Sequence, residues 1–342
     1  MTQASAATPA ATAATATAAA AAAASPPPNW VESRHPLGWA IDRLLQVEPL
    51  RQLLFQQARG LIIRTAEGRG IAWRQRREQL QAAAEPLLDS VRNPGLAMPA
   101  YYLARFHAYD QGNLCWEAAC EAEQATDSMA LRVWPGEPQL AADAAQRRLR
   151  QAIFAAIAPS LDGPVRRALD LGCSVGVGTL ALRQWLLERA DGAGDELQVE
   201  GLDLSAQMLA VAKVRDSDRR IAAWHHAAAE ASGLDAASYD LITLQFVFHE
   251  LPGETSRAVL REAARLLRPG GVIALVDQDP DSEVIRRLPA PIATLLKSTE
   301  PYLEDYFRLD LPAALVDAGF EAVRREACDP RHRVVVASRL AH

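Results

Sequence analysis

A chain of 342 residues has room for one large domain or two smaller ones, and its 49% apolar and 23% charged content supports a packed core in water. The formal net charge of −6 exerts no general pull toward nucleic acid or an anionic membrane surface. No stretch approaches the roughly 18 uninterrupted apolar residues of a membrane span, which argues against an integral membrane segment.

Residues 1–28 are almost all Ala and Thr, carry no charge, and end in Ser25-Pro-Pro-Pro28. They lack the basic and Leu-rich regions of a signal peptide and the arginines of a transit peptide, so they read as a disordered tail. Residues 29–150 form a helical N-terminal region. Leu50, Leu53, Leu54, Leu61 and Ile62 recur at helical spacing. Seven arginines and a single acid, Glu67, lie between Arg51 and Arg77. Without interleaved aromatics they read as a solvated helix face rather than an anion-binding patch. The segment from Tyr101 to Asn113 is unusual, since it gathers three tyrosines, a histidine, an acid and amides. Tyr102, His107 and Tyr109 could present stacking and hydrogen-bonding groups to a small substrate, or the segment could be a structural joint. Trp116 to Trp134 and Leu140 to Ile157 read as further helices.

From residue 165 strands and helices alternate, which predicts an α/β fold: a Rossmann-like, mostly parallel, seven-stranded sheet with helices on both faces. The first strand, Ala168–Leu171, carries Asp170 near its end, and Gly172, Gly176 and Gly178 follow before a helix. A strand, a glycine turn and a helix form the first half of a nucleotide-binding βαβ unit. The dinucleotide pattern fails here, because Ser174 and Val177 stand where it requires glycine. A carboxylate at this strand end suits a ligand with a cationic group better than a diphosphate. The second strand, Gln198–Asp203, also ends in an acid, well placed to accept both hydroxyls of a ribose. Further strands are expected at Ile221–His225, Tyr239–Phe248, Val272–Val276 (after a Pro-Gly-Gly helix stop), Glu321–Arg325 and Arg333–Ala337, with a helix at Leu311–Phe320.

Asp-Leu-Gly-Cys-Ser-Val-Gly (170–176) and Val199 to Leu209 resemble the first two motifs of class I S-adenosylmethionine-dependent methyltransferases. With Pro-Gly-Gly before the fifth strand and a Gly-Phe-strand-strand ending, the resemblance covers residues 160–342, of the small-molecule branch with the "methyltransferase domain 11" pattern. The helical region and the 278–308 insert also look like an uncharacterised cyanobacterial and plastid group. The resemblance implies a methyltransferase domain over residues 151–342 with S-adenosylmethionine as cofactor. It assigns cofactor binding to Asp170, Gly172, Cys173, Ser174, Gly176, Asp203, Leu204, Ala229, Glu230 and Gln245. Ser174 departs from the family's usual Gly, and Ala228 stands where relatives carry an adenine-reading Asp. Glu230, or backbone and packing, would then serve adenine.

His249 and Glu250, after the fourth strand, are the catalytic candidates, with loop positioning as the other role open to His249. The insert at 278–308 occupies the position that commonly covers the substrate, which makes Lys297, Glu300, Tyr302 and Tyr306 substrate-side candidates. The implied reaction is in-line displacement at the sulfonium methyl, onto a small-molecule acceptor of aromatic or quinone-like character. Other readings are a catalytically silent cofactor-binding module and, against the failed dinucleotide pattern, a nicotinamide oxidoreductase. No His, Cys or carboxylate cluster has ligand spacing, so no metal is implied. Cys115, Cys120, Cys173 and Cys328 read as free thiols of a cytoplasmic protein. The sequence leaves the acceptor and the oligomeric state open.

Overall fold

The computed structural model describes Pro28 and residues 36–190 and 196–341. The expected tail therefore lies outside the described residues, apart from Pro28, as does most of the polar insert at 191–196. Five helices lead the chain: α1 (Pro36–Leu45), α2 (Glu48–Gly68), α3 (Trp73–Ala84), α4 (Trp116–Val133) and α5 (Ala142–Ile157). The alternating part follows as β1 (Arg167–Leu171), α6 (Val177–Arg189), β2 (Gln198–Asp203), α7 (Ala206–Arg215), β3 (Ala223–His226), β4 (Tyr239–Gln245), α8 (Gly253–Leu266) and β5 (Leu267–Gln278). Three short helices then form the insert, α9 (Glu283–Arg286), α10 (Ala290–Thr299) and α11 (Leu303–Arg308), before α12 (Leu311–Asp317), β6 (Phe320–Ala327) and β7 (His332–Arg339).

One seven-stranded sheet has the order β3-β2-β1-β4-β5-β7-β6, parallel except for the antiparallel β7. Alternation along the strands assigns two faces. Leu169, Leu171, Ile242, Leu244, Ile273 and Leu275 pack with α8, α11 and α12. Ala168, Leu241, Val272, Ala274 and Val276 pack on the opposite face with α5 and α6, where Ile63 and Trp73 of the N-terminal helices join them. A third cluster joins Ala84 of α3 and Cys120 of α4 to Met208 and Val211 of α7. The N-terminal helices are thus fused to the sheet domain through apolar contacts, and burial of that surface is what holds them.

Three of the departures from expectation have identifiable reasons. β4 stops at Gln245 because Phe246 takes a left-handed backbone (φ 62°), and Phe248–Glu250 close a single 3-10 turn. β5 begins at Leu267, not Val272: Leu267 pairs with Tyr239, and an irregularity between Tyr239 and Leu241 absorbs Pro269-Gly270-Gly271 as a bulge. The region from 85 to 115 contains three short 3-10 turns in place of a helix. The arginine-rich stretch is also less solvated than its pattern suggested. Arg59 and Arg77 reach Glu121 of α4, a fully buried carboxylate, at 2.6 and 3.4 Å. They bind α2 and α3 to α4.

Candidate cofactor and acceptor site

The strand order reverses between β1 and β4, and in open α/β sheets ligands bind beyond the carboxyl ends of the strands at such a switch point. Here Asp170 of β1 lies in register with Thr243 of β4 and Gly201 of β2. Gly172 then turns the chain with φ 72°. A Cβ there would sit 2.5 Å from Val247 Cγ2, so the position admits no side chain. Ser174 accepts a left-handed conformation (φ 49°), and its N–H donates to Asp203 Oδ2 at 2.8 Å. The turn tolerates its Cβ because this hydrogen bond and the Ser174 Oγ contact with Met208 Sδ (3.4 Å) anchor it. Gly176 (φ 78°) starts α6, and Trp224 packs over it and over Gly201.

Asp203 ends β2 almost completely buried. It accepts N–H bonds from Ser174 and Ser205, both at 2.8 Å, and faces the Tyr102 hydroxyl at 3.4 Å. Burial pushes its carboxyl up to about 6, against the pull of those donors. Asp170 is also buried and raised by burial, but its oxygens are already occupied. Thr179 and Thr243 hydroxyls donate at 2.7 Å, Gln245 donates at 3.4 Å, and Arg150 donates in turn to Gln245 Oε1. Arg150 was not anticipated. It is buried, its Nε has no hydrogen-bond partner, and it opposes the rise of Asp170.

A cavity of about 700 Å³ joins these groups to the turn after β4. Asp170, Gly172, Cys173, Ser174, Asp203, Leu204, Ala229 and Gln245 line it, with His249 and Glu250 from the turn and Tyr102, His107 and Tyr109 from the N-terminal region. The remaining sequence candidates lie elsewhere. Gly176 supports the turn from behind. Glu230 is held at 2.9 Å by the Tyr101 hydroxyl and leaves the wall to Ala229 and Tyr101. Tyr306 is a core residue, 1% exposed, donating to the Gln278 carbonyl at 2.8 Å. Tyr302 packs on Phe106, and Lys297 pairs with Glu304. Neither lines the cavity, whereas Leu295, Leu296 and Glu300 of the insert do. The Tyr109 hydroxyl is committed to Glu121 at 2.7 Å, with Arg59 against its ring.

The end of the cavity beside the turn after β4 is ionisable. His249 Nδ1 lies 2.9 Å from Asp277 Oδ1. Burial works against its imidazolium, yet Asp277 and the nearby carboxylates carry His249 to about 9. His107 Nε2 sits 3.1 Å from Glu300 Oε1 and 3.4 Å from Glu250 Oε1, and these carboxylates overcome burial to raise it to about 10. Asn113 donates to Glu250 Oε2 at 2.7 Å. Burial pushes the Glu250 carboxyl up, and His107 and His249 oppose it. Asn113 and Asp277 had no sequence signal, since each acts only through a side chain distant in the chain.

The family model for a methyltransferase domain (Methyltransf_11) matches residues 169–275. An uncharacterized methyltransferase of Synechocystis sp. is 30% identical over 162 residues, 47% of this chain and 70% of that one. Demethylmenaquinone methyltransferase of Bacillus licheniformis is 34% identical over 116 residues, 33% of this chain and 46% of that one, so the chain spans about half the length of that relative. Among solved structures, phosphoethanolamine N-methyltransferase 2 of Haemonchus contortus, in complex with S-adenosyl-L-methionine, shares 14% identity at a TM-score of 0.43 over 62% of this chain and 60% of that one. The motifs at the two strand ends, the strand order and the matched relatives agree, and the chain belongs to the class I S-adenosylmethionine-dependent methyltransferases.

Proposed function

We propose that this chain transfers the methyl group of S-adenosylmethionine to a small-molecule acceptor of aromatic or quinone-like character, bound in the same cavity. The observation that carries this reading is the position of Asp203. It is a buried carboxylate at a strand end, held by two backbone N–H groups, on the wall of a cavity that also reaches His249 and Glu250. The donor set fits the cofactor. Asp203 would accept the ribose hydroxyls, and Arg150, short of a partner at Nε, would face the carboxylate of the amino-acid end. Asp170 would act chiefly by fixing the glycine turn through Thr179 and Thr243. The walls near adenine would be Leu204 and Ala229, so packing and backbone take the place of the missing Asp.

Bound S-adenosylmethionine supplies an activated methyl group and departs as a neutral thioether. The protein then needs to hold the acceptor in line and exclude water. Leu295, Leu296 and Ile292 of the insert supply apolar cover, and Tyr101 and Tyr102 supply flat surfaces. His249, oriented by Asp277, and Glu250, oriented by Asn113, are the polar groups beside the acceptor. The cavity volume of about 700 Å³ lies within the usual range for small-ligand sites, about 300–1,000 Å³. The quinone-like choice is supported by the demethylmenaquinone methyltransferase relative and by the apolar cover. Calorimetric titration with S-adenosylmethionine, followed by transfer of labelled methyl to a demethylated quinone, tests both halves. Binding without transfer to any small-molecule acceptor would leave the silent module as the reading.

A further inference from the structure

Three side chains from three separate segments converge at the acceptor end: His107 of the N-terminal region, His249 after β4 and Glu300 of the insert. Their ligand-capable atoms all lie within 4.8 Å of one another. One feature indicates that this group is incomplete as it stands. Glu300 is 6% exposed, and its Oε2 is buried with no hydrogen-bond partner, although the residue lies on the cavity wall. An unpaired carboxylate oxygen at that depth is costly unless a cation or donor completes it.

We infer that His107, His249 and Glu300 form a binding site for a divalent transition-metal ion in the acceptor pocket. Two imidazoles and one carboxylate are a donor set suited to zinc, iron or cobalt, and three protein ligands leave coordination positions open. A four-coordinate ion with bonds of about 2.1 Å places its ligands about 3.4 Å apart, so closing the site requires side-chain shifts of about an ångström. His107 can make such a shift because its side chain is 38% exposed. The supporting shell is already in place. Asp277 fixes His249 through Nδ1, which leaves Nε2 as the ligating atom, in the carboxylate–histidine–metal arrangement. Consecutive left-handed residues, His107 (φ 53°) and Ala108 (φ 66°), hold the first ligand in position, and the His107 N–H donates to the Thr299 carbonyl at 3.0 Å. The same hydrogen bond ties it to the segment that carries Glu300. An organic ammonium would use the carboxylates but could not engage the imidazoles, whereas a metal ion binds them by displacing a proton from each ligating nitrogen. The open positions would receive a hydroxyl or carbonyl oxygen of the acceptor. This last assignment rests on the methyltransferase reading of the cavity, whereas the ion site does not.

The test uses untagged full-length protein, freed of metal with a chelator and titrated with Co²⁺. One equivalent should bind and develop the visible absorption of a low-coordinate cobalt site. Glu300→Gln and His107→Ala, each verified as folded by circular dichroism, should weaken binding by more than the about 10- to 100-fold that loss of an outer-shell partner costs. Failure of wild-type protein to bind Co²⁺ at millimolar concentration, or equal binding by wild type and both variants, would overturn the inference. Should either variant unfold, proton NMR of the wild-type cobalt form decides. Two cobalt-shifted histidine N–H signals support the site, and fewer than two overturn it. S-adenosylmethionine titrated into the same sample separates the two ideas. Cofactor binding without cobalt binding sinks the metal site alone, and cobalt binding without cofactor binding supports the ion site and sinks the reading of the cavity.

Discussion

Lowering the pH from about 7.5 to about 5 should weaken S-adenosylmethionine binding about tenfold through a single side chain, Asp203. Under the proposed reading its ionised carboxylate accepts the two ribose hydroxyls, and burial holds this carboxyl near about 6 against an ordinary 3.8. At about pH 5, roughly one molecule in ten carries the ionised form, which sets the tenfold loss. The sign for stability is opposite. A raised carboxyl favours the protonated folded state, so the ionised form costs the fold about 3 kcal/mol at neutral pH. That cost falls as pH drops through about 6 toward 3.8, the window between the folded and ordinary values. Affinity should therefore fall, while stability rises relative to an Asp203→Asn variant, over the same pH range. Tyr102, Cys173, Asp170 and Glu250 face or adjoin this carboxyl, and Asp170 and Glu250 are also raised by burial. Asp203→Asn isolates its share. The variant should bind about ten- to a hundredfold more weakly at neutral pH, the loss of about 1.5–3 kcal/mol for hydrogen bonds to a charged group, and should lose the pH slope. Calorimetry across the pH series and urea unfolding of both proteins read the two effects. Affinity that stays flat in wild type, or a slope that survives in Asp203→Asn, would refute the reasoning.

Gly172→Ala should destabilise the protein by about 1–3 kcal/mol in urea unfolding, because its Cβ meets Val247 at 2.5 Å and its backbone is left-handed. Glu200 is drawn down to about 2, since the bonds from His225, Arg167 and Tyr239 outweigh its burial. Its stabilising effect is present above its ordinary 4.5 and is lost as pH falls through about 2. Glu200→Gln should thus cost about 2–3 kcal/mol at neutral pH, and the difference from wild type should vanish in acid unfolding experiments near the lower value. Tyr306→Phe removes a donor to the Gln278 carbonyl and an acceptor for Arg333 Nε. Thermal melts should show a loss of about 1 kcal/mol, with cofactor affinity unchanged, as expected of a core residue.

The half of the cavity at the ends of β1 and β2 could be read locally. An apolar run ending in an acid, then glycines, then a helix places Asp170 and Gly172 within one βαβ unit, and the period of β2 brings Asp203 to the same edge. Burial of polar tips is not local, and there the sequence misled. Tyr306 looks like a substrate group from its residue type, yet its hydroxyl is spent inside the protein on Gln278, while Tyr109 reaches the cavity wall with its hydroxyl held by Glu121. Glu230 looked available for adenine, but Tyr101 takes both its oxygens. Arg150 was invisible because a helix arginine is ordinarily solvated. Only the packing of α5 on the sheet turns it toward Gln245.

The half of the cavity proposed for the acceptor draws on segments outside the region that the family model matches. Residues 169–275 supply the glycine turn, Asp203, Gln245 and the His249–Glu250 turn. His107 and Tyr102 come from before it, and Leu295, Leu296 and Glu300 from after it. These outer segments are joined to one another, through the His107 N–H on the Thr299 carbonyl and the Tyr302 hydroxyl, 3.4 Å from the Tyr101 carbonyl. Under the proposed reading, likeness within the matched region constrains how the methyl donor is held, whereas the choice of acceptor lies in segments that this likeness does not reach. Exchange of the 288–300 segment should accordingly alter acceptor preference and leave S-adenosylmethionine affinity in place, because Asp203 is held by Ser174, Ser205 and Tyr102 and Arg150 by Gln245, all outside it.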